Sequence, residues 1–352
     1  MRVSLQETEV IAPHFKKRLS GVTSTIVQLI PLQRKQNVRI STLGVGLPQD
    51  LPSLSFKDLF GLWKSPVGKP FRIWHARRNI EMLCGIFLRD ILRMKLRLIF
   101  TSASQRHHKS FTKWLIRRMD KVIATSARTG SYLEVPHQVI MHGVDVKRFT
   151  PPRTIDDCFS SSKLPGKYAV GCFGRVRHSK GTDLFVEAMI TLLPRYPDWT
   201  AIIAGRTTMQ YYHFEKALRR KISESGLSDR IIFIGEVLDT PLWYRRLSLY
   251  VAPSRIEGFG LTPLEAMASQ TAVVTSDAGV YEELVVQGTG TVVKAGNGLD
   301  LTSAIEPYLA DLEKTLSAGK KALAHVRTHF PVEKEASAIG KVYETIFTEH
   351  TL

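Results

Sequence analysis

Short apolar or β-branched runs alternate with longer amphipathic segments along the whole chain. This alternation is typical of β-α units that build parallel sheets. In the first half, the predicted strands are residues 9–12, 38–45, 71–74, 96–101, 121–125 and 138–141. In the second half, they are residues 168–173, 200–204, 231–234, 249–252, 272–275 and 290–293. The pattern predicts an α/β protein with two doubly wound, Rossmann-like domains.

The predicted domains meet where prolines and serines interrupt the hydrophobic pattern. Pro151, Pro152 and Pro165 lie here, together with a serine run at residues 160–162, and such residues are typical of linkers. A chain of 352 residues also fits two hydrophobic cores better than one. We expect an N-terminal domain over residues 1–150, a linker over 151–166, a C-terminal domain over 167–330 and a final helix in 331–352.

The segment after the predicted strand 249–252 carries the most chemical information. Its glycines allow the backbone to approach a ligand, and Thr262 before Pro263 predicts an N-cap and a first helical position. A phosphate is expected at this helix start, on the backbone of Gly258, Phe259, Gly260, Leu261 and Thr262. Glu257 and Glu265 flank it, and because carboxylates repel phosphate, sugar and ribose hydroxyls are their natural partners.

Glu257 and Glu265, with Gly-Phe-Gly between them, resemble the Glu-x7-Glu signature of the family-4 retaining glycosyltransferases. These enzymes have the GT-B architecture, in which two Rossmann-like domains face a cleft. The resemblance covers nearly the whole chain and implies a nucleotide-sugar donor. It implies that Glu257 orients the donor sugar and Glu265 binds the ribose. It also implies that the last helix crosses back to the N-terminal domain.

A second match follows the predicted strand 168–173. Gly174 and Arg175, then Lys180, resemble the diphosphate-binding element of the same family. An arginine can form a fork on phosphate oxygens and a lysine adds a point charge. Together they can neutralise a leaving diphosphate without a metal. The chain contains no Asp-x-Asp motif, so neither a metal nor a cofactor is predicted.

Further segments match the family in the expected order. Val237 and Leu238 stand where the family holds its nucleotide base, although core packing is an equal alternative. Gly21, within residues 20–25, stands in the glycine-rich first loop. Residues 278–283 resemble the Gly-x-x-Glu turn of the family. His142 departs from the family, which usually has Asn at this position.

A catalytic histidine is expected in the N-terminal domain, just after a strand, because members of this family often carry one. The candidates are His75, His107 and His108. His75 is preferred because it ends a predicted strand beside a cluster of polar residues. Packing within the core is the alternative interpretation of a lone histidine.

Charge is distributed unevenly between the two halves. Residues 1–150 carry 26 Lys and Arg against 9 Asp and Glu, whereas residues 151–352 carry 23 of each. A basic domain of this kind suggests a polyanionic partner, either nucleic acid or an anionic membrane surface. Two basic trios recur at four-residue spacing and predict basic helical faces, Arg89 with Arg93 and Arg97, and Lys109 with Lys113 and Arg117.

These basic helices, with apolar residues such as Ile80, Leu83 and Phe87 on the first, favour an anionic membrane surface over a solvated face. The chain lacks the aromatic-interleaved or helix-turn-helix signatures that would support nucleic-acid binding. No segment has the length and apolarity of a membrane span or signal peptide. The three cysteines are not at metal-ligand spacing. We expect a cytoplasmic protein at the inner face of the membrane.

Within the family, residues 20–25, 28–33 and 74–82 resemble the lipopolysaccharide core mannosyltransferases of Gram-negative bacteria. This resemblance implies GDP-mannose as the donor and the acidic sugar Kdo on a lipid A precursor as the acceptor. It also implies retention of configuration, without a covalent intermediate. An enzyme of the same fold that uses a UDP- or ADP-sugar and a soluble acceptor is the alternative, and a nucleic-acid-binding protein is the more distant one.

Overall fold

The computed structural model describes residues 1–16 and 21–349. It divides into two compact units, the first formed by Met1–Gly143 with Val332–Leu352 and the second by Val144–Pro331. This division differs from the predicted linker over 151–166, which belongs to the second unit. Asp157 in this segment forms an ion pair with Arg245, at 2.6 Å between Oδ1 and Nε, and therefore anchors it there.

Strands and helices alternate in both units. The strands are β1 (Val10–His14), β2 (Ile40–Gly44), β3 (Ser53–Leu54), β4 (Arg72–Ala76), β5 (Leu96–Ser102), β6 (Lys121–Ala124), β7 (Gln138–Val139), β8 (Tyr168–Phe173), β9 (Trp199–Ala204), β10 (Ile231–Gly235), β11 (Leu249–Ala252), β12 (Ala272–Ser276) and β13 (Gly290–Val293). The twelve strands predicted from the hydrophobic pattern are confirmed, and among the described residues β3 is the one that the pattern missed, because its two residues, Ser53 and Leu54, form no apolar run.

The α-helices are α1 (Gly21–Lys35), α2 (Asn79–Ile86), α3 (Ser110–Ile116), α4 (Ala127–Gly130), α5 (Thr182–Leu192), α6 (Tyr212–Glu224), α7 (Thr240–Arg245), α8 (Thr262–Ala268), α9 (Tyr281–Leu284), α10 (Gly298–Ala310), α11 (Leu312–His329) and α12 (Val332–Glu349). A π-helical turn, Phe87–Ile91, continues α2. Among the described residues, no helix combines the length and the hydropathy that crossing a bilayer requires.

The first unit is built on a parallel sheet whose described strands follow the order β3-β2-β1-β4-β5-β6-β7. One face packs under α1 and α12, where Ile26, Ile73 and Ile346 are buried in a common core. The other face packs under α2 and α3, where Trp74, Met82 and Leu115 share a second core. Burying both faces of a parallel sheet explains why its strands read as continuous apolar runs.

The second unit is also a parallel sheet with helices on its faces, in the strand order β10-β9-β8-β11-β12-β13. Phe185 of α5, Ile203 of β9 and Ile305 of α10 are among the buried residues of its core. Both units therefore confirm the predicted α/β class with two doubly wound, Rossmann-like sheets.

The predicted basic face of Arg89, Arg93 and Arg97 is wrong. The helix ends in the π-helical turn, Arg93 adopts a left-handed backbone with φ of 51°, and Arg97 already lies in β5. The reason is that Met94 and Leu96 are buried in the core, which requires the chain to leave the helix and enter the sheet. The second trio does span one helix, because Lys109 and Arg117 are the caps of α3 and Lys113 lies within it.

Candidate active site

The second sheet reverses its strand order between β8 and β11. The chain runs outward from β8 through β9 and β10 on one side, and from β11 through β12 and β13 on the other. In open parallel sheets, ligands bind at the carboxyl ends of the strands beside such a switch point. The loops that follow β8 and β11 carry the predicted residues Gly174, Arg175, Lys180 and Glu257 and therefore lie at the expected place.

Lys180 and Glu257 form an ion pair between Nζ and Oε2. Both side chains are largely buried. The same carboxylate accepts a hydrogen bond from the Tyr281 hydroxyl at 3.3 Å, and its Oε1 accepts one from the Gly258 amide at 3.1 Å. Two residues predicted to serve different parts of a donor, the diphosphate and the sugar, are thus in direct contact.

The loops after β8 and β11 are held together by a second ion pair. Arg255 donates two hydrogen bonds to Asp183, with Nη1 2.7 Å from Oδ1 and Nη2 2.8 Å from Oδ2. The amides of Arg255 and Ile256 both donate to the Ser179 carbonyl, at 3.0 and 3.2 Å. A bidentate arginine fixes orientation as well as distance. These contacts hold the backbone on either side of Lys180 and Glu257 in register.

Two glycines make this close approach possible. Gly181 has a φ of 70°, and a Cβ atom placed on it would lie 1.9 Å from the Pro253 carbonyl oxygen. Gly260 has a φ of 86°, and a Cβ there would lie 2.4 Å from the Tyr281 ring. Both positions need glycine for conformation and for space.

Gly174 and Arg175 lie at the rim of the pocket formed by these loops. The pocket is lined by Phe173, Gly174, Arg175, Lys180 and Thr262, among other residues. Arg175 is exposed, and a Cβ placed on Gly174 would meet no atom within 4 Å. The rim is therefore open at the point where the sequence predicts a diphosphate. Cys172 also lines this pocket, but burial raises the pKa of its thiol to about 12, so it stays protonated.

Glu265 lies in α8 and accepts a hydrogen bond from the Tyr244 hydroxyl at 2.9 Å. Burial raises the pKa of the Glu265 carboxyl, while the Tyr244 hydrogen bond and the charge of Arg148 oppose that rise. Burial also raises the pKa of Tyr244 well above its ordinary value, so this tyrosine is a neutral donor. The Tyr244 hydroxyl thus holds Oε2 of the Glu265 carboxylate in place.

The predicted N-cap of this helix is wrong by one position. Leu261 is the N-cap, without a side-chain hydrogen bond, and Thr262 is the first helical residue. The Thr262 side chain hydrogen-bonds with the buried tyrosines Tyr250 and Tyr281 instead. Phe259 is buried beside this turn. The preference of threonine for N-cap positions led to the prediction. In the structure, the Thr262 side chain faces the buried hydroxyl groups of Tyr250 and Tyr281 instead of capping the helix.

Val237 and Leu238 lie in the loop between β10 and α7. Leu238 is 99% exposed, which excludes the alternative that it packs in the core. Neither residue lines the pocket that contains Lys180 and Thr262. Their predicted contact with a nucleotide base stays a prediction.

The remaining predicted residues lie in the first unit. Gly21 is the first residue of α1, and Ser20 of the same predicted loop lies outside the described residues. His75 is completely buried in β4, with Nδ1 2.6 Å from the Tyr343 hydroxyl and Nε2 2.7 Å from Thr101 Oγ1. Burial first, and then the charge of Arg77, lowers the pKa of His75 well below its ordinary value.

This environment favours a packing role for His75, because both ring nitrogens are engaged and the ring is not exposed. His107 packs edge-on against Tyr132. His142, which departs from the family pattern, has Nδ1 2.6 Å from Glu335 Oε1, and the other oxygen of Glu335 accepts from the Gly143 amide at 2.8 Å. His142 therefore holds the first turn of α12 in place through its contact with Glu335.

A polar cluster at the carboxyl end of β1 was not found from the sequence. His14 is completely buried, with Nε2 3.1 Å from Thr23 Oγ1 and 3.4 Å from Arg78 Nη2. Arg78 forms an ion pair with the buried Glu81 at 2.9 Å. The signal available was the position of His14, just past a predicted strand. Within the described ranges 1–16 and 21–349, no group of three or more His, Cys, Asp or Glu side chains is arranged to hold a metal ion.

The chain is similar in sequence and in fold to known proteins. The family described as glycosyl transferases group 1 matches residues 167–311. The lipopolysaccharide core biosynthesis mannosyltransferase LpcC of Rhizobium leguminosarum bv. viciae is 59% identical over 347 residues, which cover 98% of this chain and 99% of that protein. The lipopolysaccharide core biosynthesis mannosyltransferase LpsB of Rhizobium meliloti strain 1021 is 54% identical over 348 residues, with coverage of 98% and 99%.

Among solved structures, Anabaena HepE in complex with UDP and glucose aligns with a TM-score of 0.81 at 19% identity. The alignment covers 96% of this chain and 100% of that one. At this identity the likeness concerns the fold, and it confirms the predicted GT-B architecture.

Replacing Lys180 with alanine is expected to weaken the binding of nucleoside diphosphates about 10- to 100-fold, because one charge-assisted contact to phosphate is lost. Calorimetric titration measures this change. Lys221→Ala is the matched control, since Lys221 pairs with Glu187 on the exposed surface of the same unit. If wild type and Lys180→Ala bind nucleoside diphosphates with equal affinity, Lys180 does not contact the diphosphate.

Replacing His75 with glutamine is expected to lower the free energy of unfolding at neutral pH by about 1–3 kcal/mol, because buried partners lose their hydrogen bonds. Wild type keeps His75 neutral when folded, whereas the unfolded chain protonates it below its ordinary pKa of 6.5. The stability that His75 contributes is therefore complete above pH 6.5 and is lost as the pH falls below it. Denaturant titrations above and below pH 6.5 give the free energies of unfolding of wild type and His75→Gln. The difference between these two free energies should become smaller in acid, and a difference that does not change with pH contradicts the packing role.

Proposed function

This chain belongs to the group 1 glycosyl transferases, together with the lipopolysaccharide core biosynthesis mannosyltransferases of Rhizobium, and from this premise we propose the reaction that it catalyses. It is a glycosyltransferase of lipopolysaccharide core biosynthesis. In our proposal it transfers mannose from GDP-mannose to the Kdo-containing inner core on a lipid A precursor. The transfer retains the configuration of the donor sugar and uses no metal or other cofactor.

The observation that carries the proposal is the contact between Lys180 and Glu257 at the switch point of the second sheet. A donor diphosphate that enters this pocket meets a lysine already desolvated and oriented toward it. Lys180 then exchanges its carboxylate partner for a phosphate oxygen. The same exchange frees Glu257 to accept hydrogen bonds from hydroxyl groups of the donor sugar. One ligand thus satisfies both charges at once.

Leaving-group stabilisation in this proposal comes from fixed positive charge. Lys180 is held beside the pocket, and Arg175 stands at its open rim. In the same proposal, backbone amides of residues 259–262 add hydrogen-bond donors for the negative charge that develops on the diphosphate. Preorganised electrostatics of this kind usually supplies the largest part of catalysis.

Glu265 binds the ribose of the nucleotide in our proposal. Tyr244 holds one carboxylate oxygen at 2.9 Å, which orients the other for a hydroxyl group of the ligand. Val237 and the exposed Leu238 contribute apolar surface for the base. Attack by the acceptor on the same face as the departing diphosphate then gives retention without a covalent intermediate.

The acceptor side of the proposal rests on the first unit, which carries the excess positive charge of the chain. A Kdo-bearing lipid A precursor is acidic and lies in a membrane. We therefore place the enzyme in the cytoplasm, peripherally bound at the inner face of the cytoplasmic membrane. The basic charge attracts both the acceptor and the anionic lipids around it.

The donor is tested by thermal-shift measurements with GDP, UDP and ADP and with their sugars. We expect GDP-mannose to give the largest shift, because a ligand stabilises the folded state in proportion to its affinity. Transfer of mannose to a Kdo-bearing lipid acceptor is then expected for wild type and at least about 100-fold slower for Glu257→Ala.

Two outcomes would contradict this assignment. A selective shift with a UDP- or ADP-sugar, together with transfer to a soluble acceptor, would support the alternative enzyme of the same fold. Wild-type turnover by Glu257→Ala would exclude the proposed role of that carboxylate.

Replacing Glu265 with glutamine is expected to have opposite effects on stability and binding. Burial raises the pKa of Glu265, so its ionised form at neutral pH costs folding stability that glutamine does not. The Tm should rise, while nucleotide affinity falls about tenfold or more with the loss of a charged acceptor. Glu224→Gln is the control, because Glu224 forms only an exposed pair with Arg220. A lower Tm with unchanged affinity would contradict the role in ribose binding.

A further inference from the structure

The segment Asn79–Ile91 of the first unit has two apolar faces. Met82, Ile86 and Leu88 point into the core and are buried. Four further apolar residues recur at helical spacing on the outside and are 40–66% exposed, Ile80, Leu83, Phe87 and Ile91. A surface helix normally presents polar residues outward, and one that is apolar on all sides is covered by protein or lipid. This row, which we call the apolar row, therefore needs a partner.

Aromatic residues from neighbouring elements extend the apolar row. Helix α3 lies beside α2, where Asn79 Nδ2 donates to Thr112 Oγ1 at 2.8 Å. Phe111 and Trp114 of α3 are exposed and stacked, with ring centroids 6.1 Å apart. At the other end of the row, the exposed Trp63 donates its Nε1–H to the Leu92 carbonyl at 2.7 Å. Rings with an apolar body and a polar edge suit a membrane interface.

The charges around the apolar row have one predominant sign. Residues 56–120 contain 15 Lys and Arg against four Asp and Glu. Arg93 and Lys95 follow the row in the chain, and Arg106 and Lys109 precede the aromatic pair; all four are exposed. Within the described part of the chain they form no ion pair. A protein partner would need an equally acidic surface, whereas anionic lipid supplies negative charge above an apolar interior.

The arginines of the sequence-predicted basic face have a different role. Arg89 pairs with Asp90 and Asp120, at 2.6 and 2.9 Å, and Arg97 also pairs with Asp120, at 3.1 Å. Arg118 pairs with Asp90 at 3.2 Å and lies over the Trp114 ring, 4.9 Å from its centroid. These ion pairs tie the end of the π-helical turn to α3 and β5. They brace the surface that carries the apolar row.

We propose that the apolar row, with Phe111, Trp114 and Trp63, inserts into the acyl boundary of an anionic bilayer, while the flanking lysines and arginines bind lipid headgroups. Insertion by apolar side chains makes binding persist at salt concentrations that screen charge. The inference deepens the proposed function and rests on it only for the lipid-linked acceptor. Binding to vesicles without lipopolysaccharide tests the two separately.

The first experiment is vesicle flotation with phosphatidylcholine alone and with added phosphatidylglycerol, at low and high salt. Wild type should bind the anionic vesicles and stay partly bound at high salt. The affinity of Phe87→Ser/Ile91→Ser for these vesicles should be lower by about tenfold or more. Its Tm should be unchanged, because both side chains are exposed. Met209→Ser/Leu299→Ser, which removes exposed apolar residues of the second unit, should bind like wild type.

The second experiment uses phosphatidylglycerol vesicles brominated on the acyl chains, which quench tryptophan fluorescence only within the bilayer. Quenching is expected for wild type and should largely disappear in Trp63→Phe/Trp114→Phe, because Trp74 and Trp199 are buried and the half-buried Trp243 lies in the second unit. Vesicle binding without quenching would overturn insertion. Vesicle binding that high salt abolishes, and that the Phe87→Ser/Ile91→Ser substitutions leave unchanged, would also overturn it. Light scattering tests the other occupant, a second copy of this chain. If wild type is a dimer, Phe87→Ser/Ile91→Ser is a monomer and the two proteins bind vesicles equally, the apolar row is a dimer interface and the proposal is overturned.

Discussion

Two loops pass each other at the switch point of the second sheet with no room for a side chain between them. A Cβ atom on Gly181 would lie 1.9 Å from the Pro253 carbonyl oxygen, so the loops can meet only with glycine at this position. The Arg255 to Asp183 ion pair then fixes their register. Because Lys180 directly precedes Gly181, the position of its ammonium group beside Glu257 follows from backbone packing. The chemistry predicted for this pocket depends on that approach.

Much of this site could be predicted from the sequence because its components follow strands. Apolar runs located β8 and β11, and the carboxyl ends of adjacent parallel strands necessarily share an edge. The contact between Lys180 and Glu257 could not be predicted, since it depends on a left-handed glycine and on an ion pair between distant residues. The orientation of Thr262 was also beyond prediction. Its hydroxyl is directed by Tyr250 and Tyr281, which local propensity does not include.

The first unit shows the same division between local and distant information. Periodicity correctly located β5 but extended a basic helical face through Arg93 into it, because charge spacing alone does not reveal which residues enter a core. His75 was correctly placed near the end of a strand. Its complete burial depends on Tyr343 of the last helix, which no local pattern connects to it. The sequence suggested that apolar residues of this segment face a membrane, but its spacing did not separate exposed positions from core positions, and the structure shows that Ile80, Leu83, Phe87 and Ile91 are the exposed ones.

The two glutamates of the site illustrate why a polar pocket can be both stable and reactive. Burying a pair such as Lys180 and Glu257 costs desolvation that its attraction roughly offsets, so the pair adds little to folding stability. Its consequence is that both charges exist in the pocket before a ligand arrives, each with a partner that a ligand can replace. Glu265 has a neutral hydrogen bond from Tyr244 and the charge of Arg148 to support it, yet burial still raises its pKa, so its ionised form is costly. In our proposal, a hydroxyl group of the donor relieves that cost by donating a further hydrogen bond to the Glu265 carboxylate.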